Sequence, residues 1–144
     1  RELKVNVIIH PAYKNKIAPH KAIHVYSDVK DSELLSFYHN ASLLFLPLKD
    51  VTACNSILEA LSCGLPIVTT NIGANVNYLE NTEAILVSGN DKDLYVDVLI
   101  NLLQSNEELV KLGESSRMKA LEYDWKVISD SIMNFYEGFN KEIR

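Results

Sequence analysis

The chain predicts an α/β domain, a parallel sheet flanked by helices, and three features of the sequence predict it. Short β-rich runs alternate with stretches of helical periodicity, the pattern of strands joined by crossover helices. One run, Leu43 to Leu46, is apolar at every position, as expected for a parallel strand covered on both faces. Gly64, followed by Pro66, marks a helix stop just ahead of the next β-rich run.

Leu3 to Ile9 forms the first strand, and Pro11 to Lys21, with two Pro and three Lys, a loop or frayed short helix. Ala22 to Tyr26 is a second, short strand. Asp31 is placed to cap a helix running to about Asn40, with Leu34, Leu35, Tyr38 and Ala41 on one face. The unbroken apolarity of the third strand, Leu43 to Leu46, places it centrally. A helix from Ser56 to Ser62 follows, stopped by a left-handed Gly64, and then the fourth strand, Ile67 to Thr70. NIGANVNYLE turns through Gly73 into a short helix, Ala84 to Val87 is the fifth strand, and Gly89 to Asp91 turn into a helical tail. There Asp91 caps a helix whose apolar face is Leu94, Val98, Leu99, Leu102 and Leu103, and Gly113 ends a second, short one. Asp124 caps the last helix, Trp125 to about Phe139. Its apolar positions Ile128, Ile132, Phe135, Tyr136 and Phe139 recur at helical spacing, so the stripe is expected to pack on its own domain, with Trp125 in the core.

Composition narrows the function classes. With 144 residues, 47% hydrophobic and 23% charged, the chain suits one soluble domain with a real core. Lys and Arg total 14 against 19 Asp and Glu, a net charge of −5, so the surface as a whole repels polyanions and nucleic acid is not an expected partner. No apolar run approaches the roughly 20 residues that span a bilayer. RELKVNVIIHP opens without Met or a cleavable apolar stretch, and reads as a cut made inside a longer chain. Cys54 and Cys63 fit no zinc pattern, and one predicted helical segment holds them too far apart to bridge, so both are read as reduced thiols. His10, His20, His24 and His39 show no metal-ligand pairing in a helix, and no metal is expected. Lys14, Lys16, His20 and Lys21 form a local basic cluster, read as a solvated loop in preference to a lipid contact.

Chemistry concentrates in LLFLPLKDVTACNSILEALSCGLPIVTTNIG, Leu43 to Gly73: a buried strand, a polar loop, a helix start, a Gly stop and another strand. Ligands of open α/β sheets bind outside the carboxyl ends of the strands. The loop from Lys49 to Asn55 occupies that position and feeds into the free N–H groups of a helix N-terminus, which favour phosphate. Ser56 and Glu59 are spaced as a capping box, S-x-x-E, and spacing alone leaves that reading level with a ligand role for Glu59. Thr52 and Asn55 are open both to phosphate contact and to local turn and cap roles.

The segment N-S-I-L-E-A-L-S-C-G-L-P-I-V-T-T-N-I-G resembles the signature of retaining glycosyltransferases of the GT-B fold, the group called glycosyl transferases group 1 or family 4. HVYSDVKDSELLSFYHNASLLFLPL before it is similar to the strand, helix and strand that precede that signature. ILVSGNDKDLYVDVLINLLQSNEELVKLGESSRMKALEYDWKVI after it is similar to the closing strand and helices, with the Trp that opens the last one. The resemblance spans nearly the whole chain.

It implies a Rossmann-like C-terminal half of a two-domain enzyme: residues 1–144 as a single, partial nucleotide-sugar-binding domain, without the N-terminal acceptor domain and without the strand that normally opens this half. It implies transfer of a sugar from a nucleoside diphosphate sugar to an acceptor hydroxyl, in polysaccharide or glycoconjugate synthesis, by a cytoplasmic enzyme with peripheral contact at the inner face of the membrane. The donor is a substrate; no cofactor is implied. Glu59 matches the family Glu that holds the ribose hydroxyls, and a carboxylate accepts from two adjacent hydroxyls at once. Thr52, Asn55 and Ser56, with the loop amides, are the candidate diphosphate contacts. The family's earlier Glu falls on Val51 here, and Asp50 beside it is the candidate donor-sugar contact. The family turn G-G-x-x-E reads G-A-N-V-N, with Asn77 in place of the Glu. Two alternatives stay open: a non-catalytic nucleotide-binding module, and part of a GT-B sugar-nucleotide epimerase.

Overall fold

The computed structural model describes residues 3–89 and 91–142, the last four in backbone only. The chain divides into two compact units, residues 1–40 and 41–144.

In the first unit, β1 (Val5–Ile8) and β2 (Ile23–Tyr26) pair in parallel with Val5 opposite Ile23 and Ile8 opposite Tyr26. Their β-branched residues suit a pleated, half-buried surface. The crossover between them holds a 3₁₀ helix, Pro11–Lys16. Pro11 occupies its first turn, where a missing N–H costs nothing, and Nδ1 of His10 accepts from the Ala12 N–H at 3.2 Å as an N-cap. Nδ1 of His20 closes the other end by accepting from Ala22 N–H at 3.1 Å. Helix α1 (Asp31–Asn40) begins one residue earlier than a cap at Asp31 requires. The Lys30 carbonyl accepts from Glu33 and Leu34, and the Glu33 carboxylate reaches back to the Lys30 N–H at 2.9 Å, so Glu33 does the capping. The inward face is Leu34, Phe37 and Tyr38, with Phe37 on the Tyr26 ring at 4.6 Å between centroids, while Leu35 is exposed.

The second unit runs β3 (Leu44–Leu46), α2 (Asn55–Ser62), β4 (Ile67–Thr70), α3 (Gly73–Tyr78), β5 (Ile85–Val87), α4 (Lys92–Gln104), α5 (Asn106–Glu122) and α6 (Trp125–Glu142). Its parallel sheet has the order β3-β4-β5, with Leu44 opposite Ile67 and Val68 opposite Ile85. Within this sheet β4 is the middle strand and all four of its residues are buried, whereas β3 lies at one side with Phe45 exposed. Unbroken apolarity therefore marked the wrong strand as central, because β4 carries Thr69 and Thr70 at full burial. Their hydroxyls are satisfied: Thr69 Oγ1 donates to the Leu46 carbonyl at 2.7 Å, and Thr70 Oγ1 accepts from Leu48 N–H at 2.8 Å. Ile57 and Leu61 of α2, Ile67 and Val68, Val87, Tyr95, Leu102 and Leu112 form the core. Truncating such a residue to Ala costs about 2–5 kcal/mol.

Gly64 ends α2 with φ +66°, and the Leu65 N–H returns to Ala60 O at 2.9 Å while Gly64 N–H reaches Leu61 O at 3.0 Å, a Schellman turn. Gly113 does not end a helix. It lies buried inside α5, where a Cβ would meet the Gly64 carbonyl at 2.6 Å. The residue reads as a stop in one dimension and acts as a point of close approach in three. Asp91 caps α4 as expected, its Oδ1 accepting from Asp93 and Leu94 N–H. The inward face of α4 is Tyr95, Val98, Leu99 and Leu102; Leu94 and Leu103 are exposed. In α6, Trp125 is 86% exposed, Phe135 71% and Tyr136 60%, so the stripe and Trp125 do not join the core. Ile128 is half-buried, and the side chain of Phe139 lies outside the described residues. Among the described residues no helix is long and apolar enough to cross a membrane.

Candidate functional site

The loop from Pro47 to Cys54 leaves β3 at the carboxyl edge of the sheet. Two hydrogen bonds pin it there: the Leu48 N–H to Thr70 Oγ1, and the Ala74 N–H to the Val51 carbonyl at 3.3 Å. Gly73 permits the second. Its φ is +47°, and a Cβ would sit 2.4 Å from the Val51 oxygen, so any side chain there would push the loop off α3. Beneath the loop, the Thr70 hydroxyl lies 2.6 Å from the Tyr95 hydroxyl, and Nδ2 of the fully buried Asn75 donates to Thr69 Oγ1 at 3.0 Å and Thr70 O at 3.1 Å. Oδ1 of Asn75 is the buried acceptor left without a partner among the described residues.

Asp50 is exposed on the loop, and its Oδ1 accepts from the next N–H, Val51, at 2.8 Å. Thr52 is exposed two residues on. Helix α2 starts at Asn55 after Cys54, an extended residue that supplies no side-chain cap. First-turn N–H groups without a cap are a ready anion site, and the helix dipole adds to it. Ser56 is the second residue of the helix, not its cap, so Ser56 and Glu59 do not form a capping box. Asn55 and Glu59 stand four residues apart on one face of α2, and the opposite face, Ile57, Ala60 and Leu61, is buried.

Glu59 is half-buried, and its charge is felt one turn further on. Burial pushes the Cys63 thiol above its ordinary value, the charge of Glu59 raises it further, and Arg117 opposes both. Both cysteines are free thiols. Five residues that the sequence singled out, Asp50, Thr52, Asn55, Ser56 and Glu59, thus lie on one continuous loop and helix start. Sequence reasoning missed Asn75, Thr69, Thr70 and Tyr95, the buried polar set under the loop. The readable signal was a pair of Thr closing an otherwise apolar strand, with an Asn five residues beyond the second. Among the described residues no three His, Cys, Asp or Glu side chains converge as metal ligands.

A solved glycosyltransferase from Rickettsia africae has a similar fold: TM-score 0.73 over 98% of this chain and 41% of that one, at 15% identity. The D-inositol 3-phosphate glycosyltransferase of Corynebacterium urealyticum is 27% identical over 74% of this chain and 25% of its own length. The MMP alpha-(1->4)-mannosyltransferase of Mycolicibacterium hassiacum is 30% identical over 80% of this chain and 29% of its own. The chain spans about a quarter of the length of these curated relatives. A family model for glycosyl transferases group 1 matches residues 12–119, from the crossover before β2 into α5 and including the loop with its helix, and the chain belongs to that family.

Proposed function

We propose that this chain is the donor-binding part of a retaining glycosyltransferase that moves a sugar from a nucleoside diphosphate sugar to an acceptor hydroxyl. The observation that carries the reading is the uncapped start of α2 at the carboxyl edge of the sheet, with Glu59 one turn along the same face. The names of the relatives, glycosyl and mannosyl transferases, support sugar transfer. In this reading Glu59 accepts from both ribose hydroxyls. The α2 amides, with Thr52, Asn55 and Ser56, hold the diphosphate, and Asp50 meets the donor sugar. In the reaction the bond between the anomeric carbon and the diphosphate oxygen breaks, the acceptor oxygen bonds to that carbon, and the acceptor proton leaves. Amide donors already aimed at the departing diphosphate stabilise the charge it gains. No metal or resident cofactor enters.

The acceptor side belongs to the remainder of the parent enzyme, which we place in polysaccharide or glycoconjugate synthesis at the cytoplasmic side of the membrane, in peripheral contact with it. A non-catalytic nucleotide-binding module is the second reading, favoured by one observation: the position of the family's first Glu is Val51, anchored by its carbonyl.

The test is an NMR titration of the labelled chain with UDP, GDP and ADP and their sugars. Saturable shifts of amides at residues 50–59, lost in Glu59→Ala, establish donor binding and name the base. A dispersed spectrum that no nucleotide moves refutes it. With binding established, a Val51→Glu variant whose sugar-nucleotide affinity is unchanged favours the non-catalytic module.

A further inference from the structure

The middle strand of the second unit's sheet ends on two buried hydroxyls, those of Thr69 and Thr70, at positions where Val or Ile would suit the strand as well. Burying a hydroxyl costs free energy unless it is hydrogen-bonded, so its partners show what it does. Thr69 donates to the Leu46 carbonyl at 2.7 Å and accepts from Asn75 Nδ2 at 3.0 Å, which ties β4 to β3 and α3. Thr70 has other partners: the Leu48 N–H at 2.8 Å, where the candidate loop leaves β3, and the Tyr95 hydroxyl of α4 at 2.6 Å. A hydroxyl has one hydrogen and two acceptor sites. Leu48 occupies one acceptor site of Thr70, and Tyr95 uses either the other or the hydrogen, so both contacts hold at once.

A Thr side chain can place its hydroxyl in more than one staggered position, and Tyr95 selects the one that meets Leu48. Tyr95 is itself fixed. Its ring packs edge-on against Phe45 of β3 at 5.2 Å between centroids, and its N–H donates to the Asp91 carbonyl at 3.2 Å in the turn that the Asp91 carboxylate caps. The loop is therefore held at two points: Leu48 by Thr70, and Val51 by the Ala74 N–H. These two anchors bracket Lys49 and Asp50. Glu59 stands on α2, which is held separately by its own buried face, Ile57, Ala60 and Leu61.

We propose that Thr70, locked by Tyr95, is the positioning residue of the loop at residues 49–55: its hydroxyl sets where the loop stands, and through the loop the hold on the sugar and diphosphate end of a sugar nucleotide. This rests on the donor-binding reading and divides that site in two. The ribose end depends on Glu59 and α2. The sugar end depends on a hydroxyl pair that lies under the loop, with Thr70 1% and Tyr95 5% exposed, and acts on the donor only through Leu48. Thr70→Val keeps the shape of the side chain and removes both hydrogen bonds, whereas Thr70→Ser keeps the hydroxyl.

The test is NMR titration of the labelled full chain with UDP-glucose, GDP-mannose and ADP-glucose, and with UMP, GMP and AMP, which keep the ribose and lack the sugar and second phosphate. Thr70→Val is expected to weaken sugar-nucleotide binding about tenfold and to leave monophosphate binding within about twofold, with Thr70→Ser restoring the sugar nucleotide. Thr70→Val/Tyr95→Phe removes both hydroxyls of the pair together, a change close to neutral for stability, so it keeps the fold and shows the same selective loss. In the ligand-free samples the Leu48 amide should exchange its hydrogen about tenfold faster in Thr70→Val and in the double variant, while the Leu61 and Val68 amides stay as protected as in the wild type. Equal losses for both classes of probe, no rescue by Thr70→Ser, or an unchanged Leu48 amide in the folded double variant overturns the proposal. A wild-type chain that binds none of the probes refutes donor binding itself, and the Leu48 amide alone then decides whether Thr70 holds the loop.

Discussion

At residue scale, two glycines do work that composition does not reveal. Gly113 sits mid-helix, where Ala is favoured by about 1 kcal/mol on propensity alone, yet a Cβ there would lie 2.6 Å from the Gly64 carbonyl. Backbone meets backbone, and neither side has a flexible end that can yield. Gly113→Ala is therefore expected to destabilise the chain by about 1–3 kcal/mol, read as a lower urea midpoint; an unchanged or raised midpoint shows that helix propensity wins. Lys119 makes a different kind of contact. Its ammonium lies 2.6 Å from Glu122 Oε2, which holds it above the ordinary Lys value against the opposing effect of burial. Burial raises the neighbouring Tyr123 phenol, whose hydroxyl donates to the Tyr78 carbonyl at 3.2 Å. In both groups the folded state holds the proton more tightly than the unfolded chain. Their stabilisation is complete below about pH 10 and is lost as pH rises through the folded values. Urea midpoints taken upward from pH 9 should decline, and Lys119→Met with Tyr123→Phe should flatten that decline; the same slope in the double variant refutes the assignment.

At element scale, the sequence located all five strands to within two residues and the caps at Asp91 and Gly64, because period, turn chemistry and capping are local. Apart from the cap at Asp31, which Glu33 displaces by one residue, what it misread depended on partners distant in sequence. Gly113 was taken for a stop because glycine ends helices far more often than it admits another backbone. The α6 stripe was assigned to the core because helical spacing says which residues share a face and not what that face meets. In the structure Trp125, Phe135 and Tyr136 are largely exposed. Trp125→Ser and Phe135→Ser should each change unfolding free energy by no more than about 0.5 kcal/mol, read from urea unfolding. A large loss of stability shows that the face is covered.

At the scale of the whole molecule, the candidate site was legible where it is contiguous in sequence. Asp50, Thr52, Asn55, Ser56 and Glu59 lie within ten residues, and their relation to one strand end and one helix start follows from the order of elements alone. The set that supports them was less legible, since Thr70 meets Leu48 and Tyr95 only after β3, β4 and α4 are brought together, and Asn75 returns to Thr69 only through the turn into α3. The capping-box reading of Ser56 and Glu59 was decided by a shift of two residues in where α2 places its cap. The grip of α3 on the loop has a consequence of its own. Ala74 holds residue 51 by its carbonyl, and Gly73 provides the clearance, so neither contact reads which side chain residue 51 carries. Residue 51 is thus held by its backbone, and a substitution there keeps the bond that pins the loop.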